Sequence, residues 1–131
     1  MTRQPFTIDR HASLADAHEL MREHQIRHLP VIEDRELVGI VSIGDLHLLE
    51  TLGEVDLETT DVEEAMTAHP FVVTSDAPLD EILDIMIDHK YGSVVVMGRG
   101  GVEGIFTAID ACRVLGSLLR HEDEVALGVA G

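Results

Sequence analysis

A single cysteine, Cys112, stands in a chain of 131 residues, so no intramolecular disulfide can form and no Cys-x-x-Cys motif is present. The one thiol therefore reads as a small core residue in a reducing compartment. Basic residues are scarce as well. Nine Lys and Arg oppose 25 Asp and Glu, Lys90 is the only lysine, and the formal charge is −16. That charge repels a phosphate backbone and weakens encounter with anionic lipid, which argues against nucleic acid and membrane partners. Uncharged apolar runs never reach the roughly 18 residues a membrane span needs. No basic stretch followed by an apolar segment opens the chain, so no secretory signal is expected and cytoplasm is the default location. Glycine-rich phosphate loops, nucleophile elbows and His-Glu-x-x-His are missing too, which speaks against an enzyme.

What the chain does have is repetition. Residues 1–46 laid over 66–111 without a gap give twelve identities, among them Met1 with Met66, Thr2 with Thr67, Pro5 with Pro70, Phe6 with Phe71, Leu14 with Leu79, Gly39 with Gly104 and Asp45 with Asp110. A fixed period of this kind marks one structural unit written twice. Each copy opens with a short apolar strand, Phe6–Ile8 or Phe71–Val73. A helix follows, with Leu14, Ala17, Leu20, Met21 and His24 on one face, and Leu79, Ile82, Leu83, Met86 and His89 on its counterpart. Two apolar runs around the turns Glu33–Glu36 and Gly98–Gly101 read as hairpins. Second helices run from about Asp45 to Leu52 and from about Asp110 to Leu119. Val62–Met66 forms a single turn leading into the second copy. The unit is β-α-β-β-α, the class is α+β, and neither copy alone can enclose a core, so the two pack with pseudo-twofold symmetry and leave paired clefts between them.

The most specific local feature is Gly39-Ile40-Val41-Ser42-Ile43-Gly44-Asp45, mirrored by Gly104-Ile105-Phe106-Thr107-Ala108-Ile109-Asp110. Ser or Thr followed three residues later by an acid is a capping box. The same geometry suits a nucleotide: a carboxylate at a strand's carboxyl end can accept from vicinal ribose hydroxyls, and a helix N-terminus favours phosphate. Both readings can hold together.

These residues, with Ile26-Arg27-His28-Leu29-Pro30-Val31-Ile32 before a polar turn and Met66-Thr67 before Pro70, resemble a tandem pair of CBS domains, named for the regulatory region of cystathionine β-synthase. The resemblance covers nearly the whole chain: repeat 1 at 1–52, a linker at 53–65, repeat 2 at 66–120 and a tail at 121–131. It implies a regulatory, ligand-sensing module without catalysis or a required cofactor. Adenosine-containing ligands (AMP, ADP, ATP or S-adenosylmethionine) would bind between the repeats of a homodimer and regulate an effector protein. By the same resemblance Asp45 and Asp110 hold ribose, Ser42 and Thr107 lie near phosphate, and Ile40 and Ile105 line the clefts. Ile26, Arg27, His28, Tyr91, Gly92 and Ser93 border adenine, as do Thr2 and Thr67.

Departures from the pattern make the two clefts unequal. Val95 stands where repeat 1 has Pro30, and the second hairpin turn is glycine-rich where the first is charged. Tyr91 is a stacking candidate for a purine, and Arg27, Arg99 and Arg113 are candidate phosphate partners. Two alternatives remain: a ligand-free interaction or dimerisation scaffold, and, more remotely, a metal enzyme built on the eight histidines. His24 and His28 have the i, i+4 spacing of zinc ligands but straddle a helix end, and Met21 and Met86 read as core.

Overall fold

The computed structural model describes residues 6–121, together with the backbone of residues 2 and 3. In chain order the elements are β1 Thr2–Arg3, β2 Ile8–Asp9, α1 Leu14–His24, β3 His28–Glu33, β4 Glu36–Ser42 and α2 Ile43–Leu52. A 3₁₀ turn at Val62–Glu64 follows, then β5 Thr67–Ala68, β6 Val72–Thr74, α3 Leu79–His89, β7 Ser93–Gly98, β8 Gly101–Thr107 and α4 Ala108–His121. Two four-stranded sheets result, ordered β2-β3-β4-β5 and β1-β8-β7-β6. Each copy thus supplies a parallel β-α-β crossover and an antiparallel hairpin to its own sheet. Their leading strands are exchanged: β1 pairs with β8 through Thr2 and Ile105, while β5 pairs with β4 through Thr67 and Ile40.

The repeat extends to fine geometry. His28 faces Ser42 across one hairpin and Ser93 faces Thr107 across the other, and both ladders slip by one residue at the same place, Val31/Ile32 and Val96/Met97. Helices α1 and α3 stop alike, with left-handed Gln25 (φ 53°) and Lys90 (φ 58°) bonding back to the last turn. The charged first hairpin turns through Asp34 and Arg35, both at positive φ, as a two-residue turn matched to strand twist requires. In the second hairpin the positive φ falls on Gly101 instead.

Strand starts differ from the sequence expectation. Val95 N–H donates to the Phe71 carbonyl at 2.9 Å, holding the chain ahead of β6. Pro30, at the equivalent place, has no N–H to give, and pairing in β2 begins only at Ile8. Both second helices begin two residues before the Asp, because the capping hydroxyls of Ser42 and Thr107 precede the first turn.

Three apolar clusters hold the assembly. Ile8, Leu14, Ala17, Met21, Leu29, Val31, Val41, Leu46 and Val62 form the first core, and Ile82, Met86, Val94, Val96 and Phe106 the second. Between the sheets lie Ile40, Val95 and Ile105, all buried. The expected positions of Met21 and Met86 are borne out. Cys112 is a correction: it is exposed, because Asp110, Ala111 and Val114 turn the opposite side of α4 inward. Among the described residues no helix is long and apolar enough to cross a membrane.

Candidate functional site

Both strand-to-helix junctions carry a complete reciprocal cap. Ser42 Oγ accepts the Asp45 N–H at 3.1 Å while Asp45 Oδ2 accepts the Ser42 N–H at 2.8 Å; Thr107 and Asp110 repeat this at 3.1 and 2.9 Å. The cap satisfies orphan donors of the first helical turn and uses one oxygen of each carboxylate. The second oxygen differs between copies, since Asp110 Oδ1 accepts from Arg113 Nη1 at 3.2 Å. Position 113 corresponds to Leu48 in the first copy, so the Asp45 junction has no such guanidinium. The first N–H of each helix donates to the segment preceding the hairpin: Ile43 to the Arg27 carbonyl at 2.9 Å, and Ala108 to the Gly92 carbonyl at 3.0 Å.

Packing the two sheets through Ile40, Val95 and Ile105 leaves two cavities. The first, about 320 Å³, brings Ile40, Ser42, Asp45 and Thr67 together with Tyr91, Gly92 and Ser93. The second, about 290 Å³, brings Ile105, Thr107 and Asp110 together with Ile26, Arg27 and His28. Each cleft therefore draws its hydroxyl and carboxylate from one repeat and its pre-hairpin segment from the other. His28 and Gly92 line both. The backbone of Thr2 holds the place beside Ile105 that Thr67 holds beside Ile40; the Thr2 side chain lies outside the described residues.

Sequence reasoning passed over His69, Pro70, Phe71 and Lys90 in the Asp45 cleft, and Gln25 and Ile109 in the Asp110 cleft. A signal for two of them was present, because Pro5-Phe6 and Pro70-Phe71 are repeat identities. The two phenylalanines find different partners: Phe6 stacks on His24 at 3.7 Å, whereas Phe71 stacks on Tyr91 at 5.5 Å. Tyr91 also stacks on His89 at 5.2 Å and is 40% exposed, so its ring is already positioned at the cleft wall.

Lys90 lines the Asp45 cleft and Arg27 and Arg113 line the Asp110 cleft, so each cleft holds at least one cation against the chain's negative charge. His28 lines both. Arg99 is exposed in the β7–β8 turn and lines neither. His28 sits between the carboxylates: burial depresses its pKa below the ordinary 6.5 and Arg27 adds to the depression, while Asp45 and Asp110 oppose it. The neutral ring is favoured in the folded chain.

The histidines do not gather on a helix face. His24 closes α1 and His28 opens β3. Among the described residues the single His–carboxylate cluster is His11, Asp61 and Glu63. Glu63 is also bonded to Arg10, which bridges to Glu33 as well, so one guanidinium is shared between two carboxylates where the linker meets repeat 1.

Residues 1–48 and 61–117 match the family model of the CBS domain. The inosine-5′-monophosphate dehydrogenase of Korarchaeum cryptofilum is 34% identical over 109 residues, covering 82% of this chain and 22% of that protein. The first three curated relatives are matched over 36%, 22% and 27% of their own lengths, so this chain spans about a third or less of each. Among solved structures, the CBS domain pair of protein MJ0100 in complex with 5′-methylthioadenosine and S-adenosyl-L-methionine is similar, with TM-score 0.77, 26% identity and coverage of 90% of this chain and 93% of that one. CBSX2 in complex with AMP has TM-score 0.69, 28% identity and coverage of 90% and 93%.

Proposed function

The chain belongs to the CBS domain family, and from that premise we propose that it is a regulatory module sensing an adenosine-containing ligand (AMP, ADP, ATP or S-adenosylmethionine) in the two clefts between its repeats. One observation carries the reading. A hydroxyl-capped carboxylate recurs at both strand-to-helix junctions, and each faces a pre-hairpin segment of the other repeat across a cavity of nucleoside size. The ligands held by the similar structures support the same chemistry.

In this reading Asp45 and Asp110 accept from the ribose hydroxyls through lone pairs left over from the caps. Ser42 and Thr107, at helix N-termini, border phosphate. Ile40 and Ile105 form the apolar floors, Thr2 and Thr67 flank them, and the adenine lies against Tyr91-Gly92-Ser93 in one cleft and Ile26-Arg27-His28 in the other. The two sites differ in charge. Arg27 and Arg113 suit a polyphosphate in the Asp110 cleft, whereas the Asp45 cleft pairs one lysine with the Phe71–Tyr91 rings and suits a less anionic adenosine. No bond is made or broken; occupancy alters repeat or subunit packing and so acts on an effector protein in the cytoplasm. Leu48 (59% exposed), Leu52 (77%), Leu115 (56%) and Leu118 (58%) give α2 and α4 apolar outer surfaces suited to a homodimer.

Calorimetric titration of ATP, ADP, AMP and S-adenosylmethionine tests the proposal, with Asp45→Ala and Asp110→Ala in parallel. Loss of hydrogen bonds to a charged acceptor is worth about 1.5–3 kcal/mol, or roughly 10- to 150-fold in Kd at the affected cleft. Silence from all four ligands at millimolar concentration overturns it. The apolar α2 and α4 surfaces favour a second reading, an interaction scaffold without ligand, and that silence combined with a stable dimer in sedimentation would select it.

A further inference from the structure

The two clefts meet at one side chain. Among the described residues His28 and Gly92 line both, and glycine has no side chain, so only the imidazole of His28 faces the Asp45 cleft and the Asp110 cleft together. Strand register puts it there. His28 opens β3 directly across from Ser42, whose hydroxyl caps the helix start carrying Asp45. The segment that His28 ends, Ile26-Arg27-His28, walls the cleft of the other repeat. The half-buried ring stands in the field of both carboxylates, Asp45 and Asp110.

Twofold symmetry calls for a second such residue, and the sequence does not supply it. At the offset of sixty-five residues His28 falls on Ser93, which opens β7 across from Thr107 but lines only the Asp45 cleft of the two. Arg27 falls on Gly92, so the junction receives no long side chain from repeat 2 at that position either. A serine hydroxyl lies one carbon from the backbone and reaches a single cleft. An imidazole carries a nitrogen on each of two edges and can address two.

On the reading of both clefts as adenosine sites, on which this rests, we propose that His28 couples them, so that a ligand in one cleft weakens binding in the other. A neutral imidazole has one N–H and one lone pair. The phosphate oxygens, the ribose ring oxygen and the ring nitrogens of adenine are all acceptors. The ligand that arrives first takes the N–H, and the second binds without it. Loss of one such hydrogen bond is worth about 2- to 10-fold in affinity, and linkage makes the factor the same whichever cleft fills first. Occupancy of the pair then spreads over a wider range of ligand concentration than two independent sites would cover.

Titration of AMP at pH 8, where the ring is neutral, tests this through the amide NMR signals of Ser42 for the Asp45 cleft and Thr107 for the Asp110 cleft. Asp45→Ala and Asp110→Ala give each cleft's affinity with its neighbour disabled. In wild type the cleft that fills second should bind AMP about 2- to 10-fold more weakly than the same cleft does when its neighbour is disabled. With His28→Ser, which installs the repeat 2 residue, and with His28→Phe, which keeps a ring without a donor, that ratio should fall to one whatever the absolute affinities. Repulsion between two bound phosphates would survive both substitutions and shrink with added salt, and that result overturns the assignment to His28. A wild-type ratio of one, or filling of a single cleft, overturns it as well. Silence from both clefts sinks the adenosine reading together with the coupling, whereas two clefts that fill independently sink the coupling alone.

Discussion

Gly39→Ala should unseat the strand that walls the Asp45 cleft. Gly39 is buried in β4 opposite Ala68 of β5, and a Cβ built there would lie 2.5 Å from Met66 Sδ and 2.9 Å from the Thr67 carbonyl oxygen. The Met66 side chain can swing aside. The Thr67 carbonyl is backbone held in register by the Ile40–Thr67 pair, so relief requires β5 to move. Overpacking of this sort costs about 1–3 kcal/mol, offset by about 0.4–1 kcal/mol from the stiffer unfolded chain. The net loss of roughly 0.5–2 kcal/mol corresponds to about 2–10 °C in melting temperature for a chain of this size. Because Thr67 lines the Asp45 cleft and not the Asp110 cleft, ligand affinity should fall at the first site and hold at the second. Gly100→Ala is the control: a Cβ there meets nothing within 4 Å. Thermal melts followed by circular dichroism, with titration of each variant, read both effects. A Gly39→Ala protein that melts within 1 °C of wild type, or that weakens both clefts equally, would refute the close-approach argument.

Other perturbations follow from the same geometry. Because burial depresses the His28 pKa below 6.5, the unfolded chain binds the proton more readily than the folded one. This contribution to stability is whole above pH 6.5 and is lost as pH falls through the depressed folded value. Urea midpoints between pH 5 and 8 should show that acid-side loss in wild type and a shallower one in His28→Gln; equal slopes would count against it. His11 has the opposite sign: its bond to Asp61 raises the pKa, so its contribution is present below 6.5 and lost as pH rises through the folded value, and His11→Ala should remove that trend. Val95→Pro should cost about 1–3 kcal/mol by deleting the bond to the Phe71 carbonyl, while Pro30→Val, where no donor exists to lose, should cost less; equal urea midpoints for the two would reject this account of the repeat asymmetry.

Much of the site was legible because its parts are local. Ser42 with Asp45 and Thr107 with Asp110 are three residues apart, and a capping box forms wherever a helix starts at such a pair. Helix faces were legible for the same reason, since Leu14, Ala17 and Met21 repeat at helical spacing and are all buried. Cys112 was misplaced because a residue just inside a helix can face either way, and only the inward turn of Asp110 and Val114 decides which. Phe71 and Lys90 were missed because nothing local says that the end of α3 faces α2 of the other repeat.

By itself the sequence determined the unit, its duplication, its caps and its charge, all of which depend on residues near each other along the chain or on composition. Tertiary structure alone decided which halves meet. The exchange of β1 and β5 between sheets, the assignment of Tyr91-Gly92-Ser93 to the Asp45 cleft and Ile26-Arg27-His28 to the Asp110 cleft, and the place of His28 on both follow from packing Ile40, Val95 and Ile105 against each other. A period of sixty-five residues shows that two like surfaces exist. Burying the apolar surface that remains after each repeat has folded is what brings them together and sets the clefts between them.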